Sequence, residues 1–117
     1  MSIDFTKYQK ISSSTSGAFD ELDGIEARTA IAAMGLAGEA GEVVDYLKKV
    51  LGHGHPLDQD KVAKELGDVL WYVAEICSVL QLDMGEVAEA NVKKLKKRYP
   101  DGFSKERSVN RATYAEY

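Results

Sequence analysis

Glu39 and Glu42 stand three residues apart, and so do Glu65 and Asp68. Residues at that spacing share one face of a helix, so each pair would present two acids one turn apart. The pairs also lie in near-copies of one segment. A single shift lays Glu39 on Glu65, Gly41 on Gly67, Glu42 on Asp68, Val43 on Val69 and Tyr46 on Tyr72. If the two segments are helices packed side by side, four carboxylates converge. Such a cluster binds hard divalent cations and, through them, phosphates.

Acids one turn apart are common on solvated helix faces, where a lysine or arginine four residues on supports them. Asp45 has Lys49 at that position and Glu89 has Lys93, so these two, with Glu86, read as surface residues. The four singled-out acids are followed instead by Val43, Tyr46, Val69 and Tyr72. Like charges against an apolar stripe destabilise a fold unless a cation compensates them. Lys61 and Lys64, four residues before Glu65 and Asp68, compensate only in part, in the weaker order for a helical pair. Carboxylates without paired thiols or imidazoles suit Mg²⁺, or Mn²⁺, rather than Zn²⁺. A ferritin-like di-iron site would need Glu-x-x-His on two helices, and neither His53 nor His55 follows a glutamate by three residues.

The elements that must position these acids are helices, since no segment alternates apolar and polar residues for long. The spacing predicts helices over about residues 4–12, 23–51, 58–80 and 84–98. Asp23 and Glu26 have capping-box spacing, and Asp58 is placed as an N-cap. The Gly52-His-Gly-His-Pro56 loop ends the second helix, and Tyr99-Pro-Asp-Gly102 ends the fourth. A short loop between two long helices favours an antiparallel hairpin. Leu36, Val43, Leu47 and Val50 would line one side of its first arm, and Val62, Val69, Val73, Ile76 and Leu80 one side of its second. The acid pairs sit at the edges of these stripes, facing inward or toward a cleft. The expected architecture is all-α, a four-helix bundle-like core with two long antiparallel helices, in a single domain over 1–117. A polar tail from about residue 104 is expected to be extended or disordered.

A chain of 117 residues can bury one core but not two. Its net charge of −4 gives no electrostatic case for nucleic acid. No apolar run reaches membrane-spanning length, and the N-terminus has no apolar core of a leader. The single cysteine, Cys77, lies among apolar neighbours and reads as a small buried hydrophobe in a reducing compartment. The expectation is a cytoplasmic protein.

The ordered set of motifs resembles the MazG-like nucleotide pyrophosphohydrolases of the all-α NTP pyrophosphatase superfamily. Their mark is Glu-x-x-Glu on one helix and Glu-x-x-Asp on the next, matched here by Glu39, Glu42, Glu65 and Asp68. The similarity takes in Gly35-Leu-Ala-Gly-Glu-Ala-Gly-Glu42, the Gly52-His-Gly-His-Pro-Leu57 loop, Glu65-Leu-Gly-Asp-Val-Leu-Trp-Tyr72, Ala90-Asn-Val-Lys-Lys-Leu95 and Arg98-Tyr-Pro-Asp-Gly-Phe103. It implies Mg²⁺-dependent hydrolysis of a nucleoside triphosphate to the monophosphate and pyrophosphate, by a homodimer or dimer of dimers. It further implies that the four acids hold metal and serve catalysis, and that Asn91 and Lys94 contact substrate phosphate. Here Gly38 and Ala40 flank Glu39, where some relatives carry an additional acid. A non-catalytic nucleotide- or Mg²⁺-binding module stands as the alternative, as do sister activities: dUTPase, dCTPase or phosphoribosyl-ATP pyrophosphohydrolase.

The remaining features have plainer readings. Gly35, Gly38 and Gly41 within a helix point equally to close helix crossing and to ligand approach. His53 and His55 read as exposed turn residues. Lys93, Lys96, Lys97 and Arg98 suit the C-terminal end of a helix dipole. Trp71 and Tyr72 read as core or subunit-interface residues rather than as base-stacking platforms.

Overall fold

Aspartates start the helices. In the computed structural model, which describes residues 2–111, α1 (Phe5–Ser13) begins on Asp4, whose carboxylate accepts the Lys7 N–H at 2.7 Å. A 3-10 turn (Gly17–Glu21) leads to α2 (Gly24–His53). Next, α3 (Gln59–Val79) begins on Asp58, which accepts from the N–H groups of Asp60 and Lys61 at 3.0 and 3.3 Å. Finally α4 (Met84–Arg98) begins on Asp83, and the short α5 (Lys105–Val109) begins on Ser104. Each cap satisfies donors that the first helical turn leaves without a partner. Among the described residues there is no strand, and no helix is long and apolar enough to cross a membrane.

The structure corrects the sequence reading in four places. Asp23 precedes α2 without making a side-chain cap, and Gly24, the first residue of the helix, has φ 80°. The C-terminal end of α2 passes Leu51 to His53, where Gly54 at φ 73° lets the His55 N–H return to the Lys49 carbonyl at 3.2 Å. Leu80 follows the end of α3 and is exposed rather than part of its stripe. The tail is helical over Lys105–Val109, because Arg107 reaches back to the carbonyls of Lys97 and Arg98 at the open end of α4. The part of that tail beyond residue 111 lies outside the described residues.

The two long helices pack antiparallel in one register. Lys61 lies over the Tyr46 ring at 4.5 Å, and the Tyr72 ring rests on Gly35. At the loop, the Tyr46 hydroxyl donates to the Pro56 carbonyl at 3.0 Å and accepts from the Asp58 N–H at 2.9 Å. Leu36, Val43, Leu47 and Val50 on α2 and Val62, Val69, Val73 and Ile76 on α3 are all half-buried.

α1 lies against both α3 and α4. Gln9 fastens the turn between those two helices: its amide donates to Ser78 Oγ and the Leu82 carbonyl, and its oxygen accepts from the Met84 N–H at 2.7 Å. Thr6 donates to the Asp83 carboxylate at 2.7 Å. Beneath these bonds Ala74, Cys77 and Met84 form the buried core, with Tyr8 and Val73 against it.

Alanine substitutions separate the roles of the α2 glycines. A Cβ at Gly35 would run into the Tyr72 ring, whereas at Gly38 or Gly41 it would meet nothing. Gly35→Ala should lower the unfolding free energy by about 1–3 kcal/mol of overpacking, while Gly41→Ala should gain up to about 1 kcal/mol of helix propensity. Urea titration followed by circular dichroism checks both signs.

Candidate metal centre

The antiparallel register brings Glu65 against Glu42 and Asp68 beside Glu39. Glu39, Glu42 and Glu65 each offer a carboxylate oxygen, and the three oxygens lie within 4.8 Å of one another. Asp68 is near enough to act on both Glu39 and Glu65 electrostatically. Within each pair the first acid is half-buried and the second exposed. The Oε2 atoms of Glu39 and Glu65 are buried with no hydrogen-bond partner.

No cation answers this charge among the described residues. Lys61 lies over the Tyr46 ring, and among the described residues Asp45 pairs with Lys48 and Lys49, at 3.1 and 2.9 Å on the surface. The carboxyls respond as crowded acids do. Glu65 is raised above the usual glutamate range first by the hydrogen bond it shares with Glu42, then by burial and by the charges of Glu42, Glu39 and Asp68. Glu39 is raised first by burial, then by Glu42 and Asp68. A hard metal ion displaces the protons that such a set of carboxylates holds and binds their oxygens instead.

Beside the acids opens a pocket of about 390 Å³, lined by Thr15, Glu39, Asp68, Trp71 and Tyr72. Its aromatic wall includes residues that the sequence reading assigned to core or interface. Their spacing held the clue, since Trp71 and Tyr72 follow Asp68 by three and four residues on the same helix. Thr15, from the segment between α1 and the 3-10 turn, left no local signal. Neither did Tyr8 of α1, whose phenol is pushed up by burial and then by the charge of Asp68.

Asn91 and Lys94 stand elsewhere. They line a larger groove of about 810 Å³ between α3 and α4, together with Leu70, Val73, Met84 and Val87, and are not among the residues of the acid pocket. His53 ends α2 and His55 lies in the hairpin loop, and both are exposed.

The acid cluster costs the metal-free protein stability, with a definite sign. A carboxyl raised in the folded state binds its proton more tightly there than in the unfolded chain, so stability falls as pH rises through the glutamate range and beyond. In chelator-treated protein, Glu65→Gln should therefore melt above the wild type at pH 7.5, and the gap should close toward pH 4. Added Mg²⁺ should raise the melting temperature of the wild type only. Differential scanning fluorimetry across pH reads all three effects.

Comparison with known proteins bears on the same residues. The model of the MazG nucleotide pyrophosphohydrolase domain matches residues 29–103, a span that contains all four acids. The chain is also similar to the Gene 37 protein of Mycobacterium phage L5, 36% identical over 99 residues, which cover 81% of this chain and 83% of that protein. No solved structure matches it. The matched span, the helical fold and the paired acids agree: the chain belongs to the MazG nucleotide pyrophosphohydrolase family.

Proposed function

We propose that this protein is a Mg²⁺-dependent pyrophosphohydrolase that cleaves (d)NTP to (d)NMP and pyrophosphate at the Glu39, Glu42, Glu65 and Asp68 cluster. The observation that carries the reading is the convergence of uncompensated carboxylates from both motif helices in a chain of this family.

The residues fit such an ion. All donors are carboxylate oxygens, and two of them are buried without partners. Glu39, Glu42, Glu65 and Asp68 would hold Mg²⁺, with Mn²⁺ a possible substitute. The bound ion would supply neutralisation of phosphate charge and a water of lowered pKa. Half-buried Glu39 and Glu65 restrict water around the ligand oxygens, and exposed Glu42 and Asp68 keep the site open to substrate. Asn91 and Lys94, which line the α3–α4 groove and not the acid pocket, would offer a donor and a positive charge to a phosphate that reached that groove.

The working form is a homodimer or a dimer of dimers. The radius of gyration is 17.5 Å, against about 13 Å for a compact chain of this length. The hairpin leaves Val44, Leu51, Leu57 and Leu66 exposed, and the α3–α4 groove is apolar for most of its length. Apolar surface on that scale marks an interaction face. The buried, unpaired Cys77 suits a reducing, cytoplasmic setting.

Pyrophosphate release from a panel of canonical and modified (d)NTPs tests the activity. Turnover should require Mg²⁺ or Mn²⁺, stop with EDTA, and fall at least about a hundredfold in Glu39→Gln or Asp68→Asn, with circular dichroism unchanged. Binding without cleavage of any nucleotide would replace the enzyme with a regulatory module. Light scattering should give at least twice the 12.8 kDa chain mass, and a monomer would refute the assembly.

A further inference from the structure

α3 buries an acid that the metal centre does not use. Glu75, two turns beyond Asp68, is 1% exposed. Burying a carboxyl is costly unless a partner answers it. The charged groups that act on it are Arg28 of α2 and Asp20 of the 3-10 turn, of opposite sign. Among the described residues Glu75 and Arg28 do not close into an ion pair, and Glu75 Oε1 and Arg28 Nε are each buried with no hydrogen-bond partner. Burial raises the Glu75 carboxyl above the usual glutamate range, against the Ser16 hydroxyl and the Arg28 charge, and Asp20 adds to the rise.

The group that Glu75 does hold is the Ser16 hydroxyl. Ser16 is itself 7% exposed, and its one proton goes to the Ser13 carbonyl at 2.8 Å. A hydroxyl with its proton so placed has only lone pairs left to offer. The bond to Glu75 is therefore completed by a proton on the carboxyl, the form that suits a buried acid without an ion pair.

This bond bears on the acid pocket through its neighbours. Thr15 and Ser16 are consecutive, and Trp71 and Glu75 stand four residues apart on one face of α3. Trp71 Nε1 donates to Thr15 Oγ1 at 2.8 Å, so α3 grips the serine-rich segment at two successive residues, one helical turn apart. Thr15 and Trp71 line the pocket with Glu39 and Asp68. The hydroxyls of Ser14, Thr15 and Ser16 bond back to carbonyls of their own stretch, which shapes the turn without tying it to α3.

We propose that Glu75 is a positioning residue of the candidate site: by holding Ser16 it fixes the adjacent Thr15, and with it the wall of the pocket beside Glu39 and Asp68. A wall held by the Trp71–Thr15 bond alone can pivot on it. Two bonds a turn apart remove that freedom, so that a substrate meets the metal ligands in one pocket shape. The kinetic side of the proposal rests on the pyrophosphohydrolase reading, and the structural side does not.

Three variants separate positioning from bulk stability. Glu75→Gln keeps a donor for Ser16 Oγ, Glu75→Leu removes it, and Ser16→Ala removes the acceptor while leaving α3 intact. With Mg²⁺ and a cleaved (d)NTP, Glu75→Leu and Ser16→Ala should each raise KM roughly tenfold with kcat nearly kept. The double variant should be no worse than either alone, since both remove one interaction, and Glu75→Gln should keep the wild-type KM. Emission of Trp71, the sole tryptophan of the chain, reads the wall without substrate. It should shift to the red in Glu75→Leu and Ser16→Ala and hold in Glu75→Gln. If Glu75→Leu does not fold, Ser16→Ala carries the same comparison. Wild-type KM and emission in these variants, additive losses in the double variant, or a Glu75→Gln that behaves like Glu75→Leu would overturn the positioning role and leave the pyrophosphohydrolase reading standing. If the wild type cleaves no (d)NTP, that reading falls, and the emission of the variants alone decides whether Glu75 holds the wall.

Discussion

The structure depends on one arrangement that electrostatics opposes: acids from two helices held together at a single level of an antiparallel pair. Glu39, Glu42 and Glu65 would separate if the α2–α3 register were free to slip. It is pinned at both ends. Near the loop, the Tyr46 hydroxyl bridges Pro56 and Asp58 while Lys61 sits on its ring. At the other end the Tyr72 ring occupies the space that Gly35 leaves by having no side chain. Between these pins the acids are crowded, and their raised proton affinity comes from burial at Glu39 and the hydrogen bond with Glu42 at Glu65, and then from the neighbouring charges.

The rest of the chain supports the pair from one side. α1 holds α3 and α4 through Gln9 and Thr6, and the serine-rich segment after it delivers Thr15 and Phe19 to Trp71. Serine and threonine suit this segment because their hydroxyls satisfy nearby carbonyls, as Ser14, Thr15 and Ser16 each do three residues back. The serine-rich stretch after α1 is thus a hydrogen-bonded turn that shapes the pocket. Little apolar surface is left over for a large private core, and the α3–α4 groove stays open.

What the sequence made legible was what recurs locally. Duplicated Glu-x-x-Glu and Glu-x-x-Asp text, a short Gly-Pro loop and aspartate caps were enough to place the hairpin and bring Glu42 to Glu65. Counting partners at i+4 separated these acids from Asp45, whose lysines do pair with it. Long-range closure was not legible. Nothing near Thr15 announces Trp71, because the hydrogen bond between them spans most of three elements. Arg107 likewise turns an apparently loose tail into α5 by capping carbonyls of a helix that the chain has already left. The glycines divided for a reason visible only in packing: Gly35 is a helix-crossing residue, while Gly38 and Gly41 face open space.

The repeat itself shows how similar sequences acquire different work. In an antiparallel hairpin the two copies run in opposite directions, so the tyrosine one turn after each acid pair points to opposite ends of the site. Tyr46 falls at the closed end and becomes part of the loop's hydrogen bonding. Tyr72 falls at the open end, where it lies between Gly35 and Trp71 and lines the pocket beside Glu39 and Asp68. The same asymmetry gives the site two different ends without any difference in the motif that encodes it. A symmetric set of ligands is thereby placed in an asymmetric surrounding, with an open pocket on the side bearing Tyr72, Trp71 and Thr15.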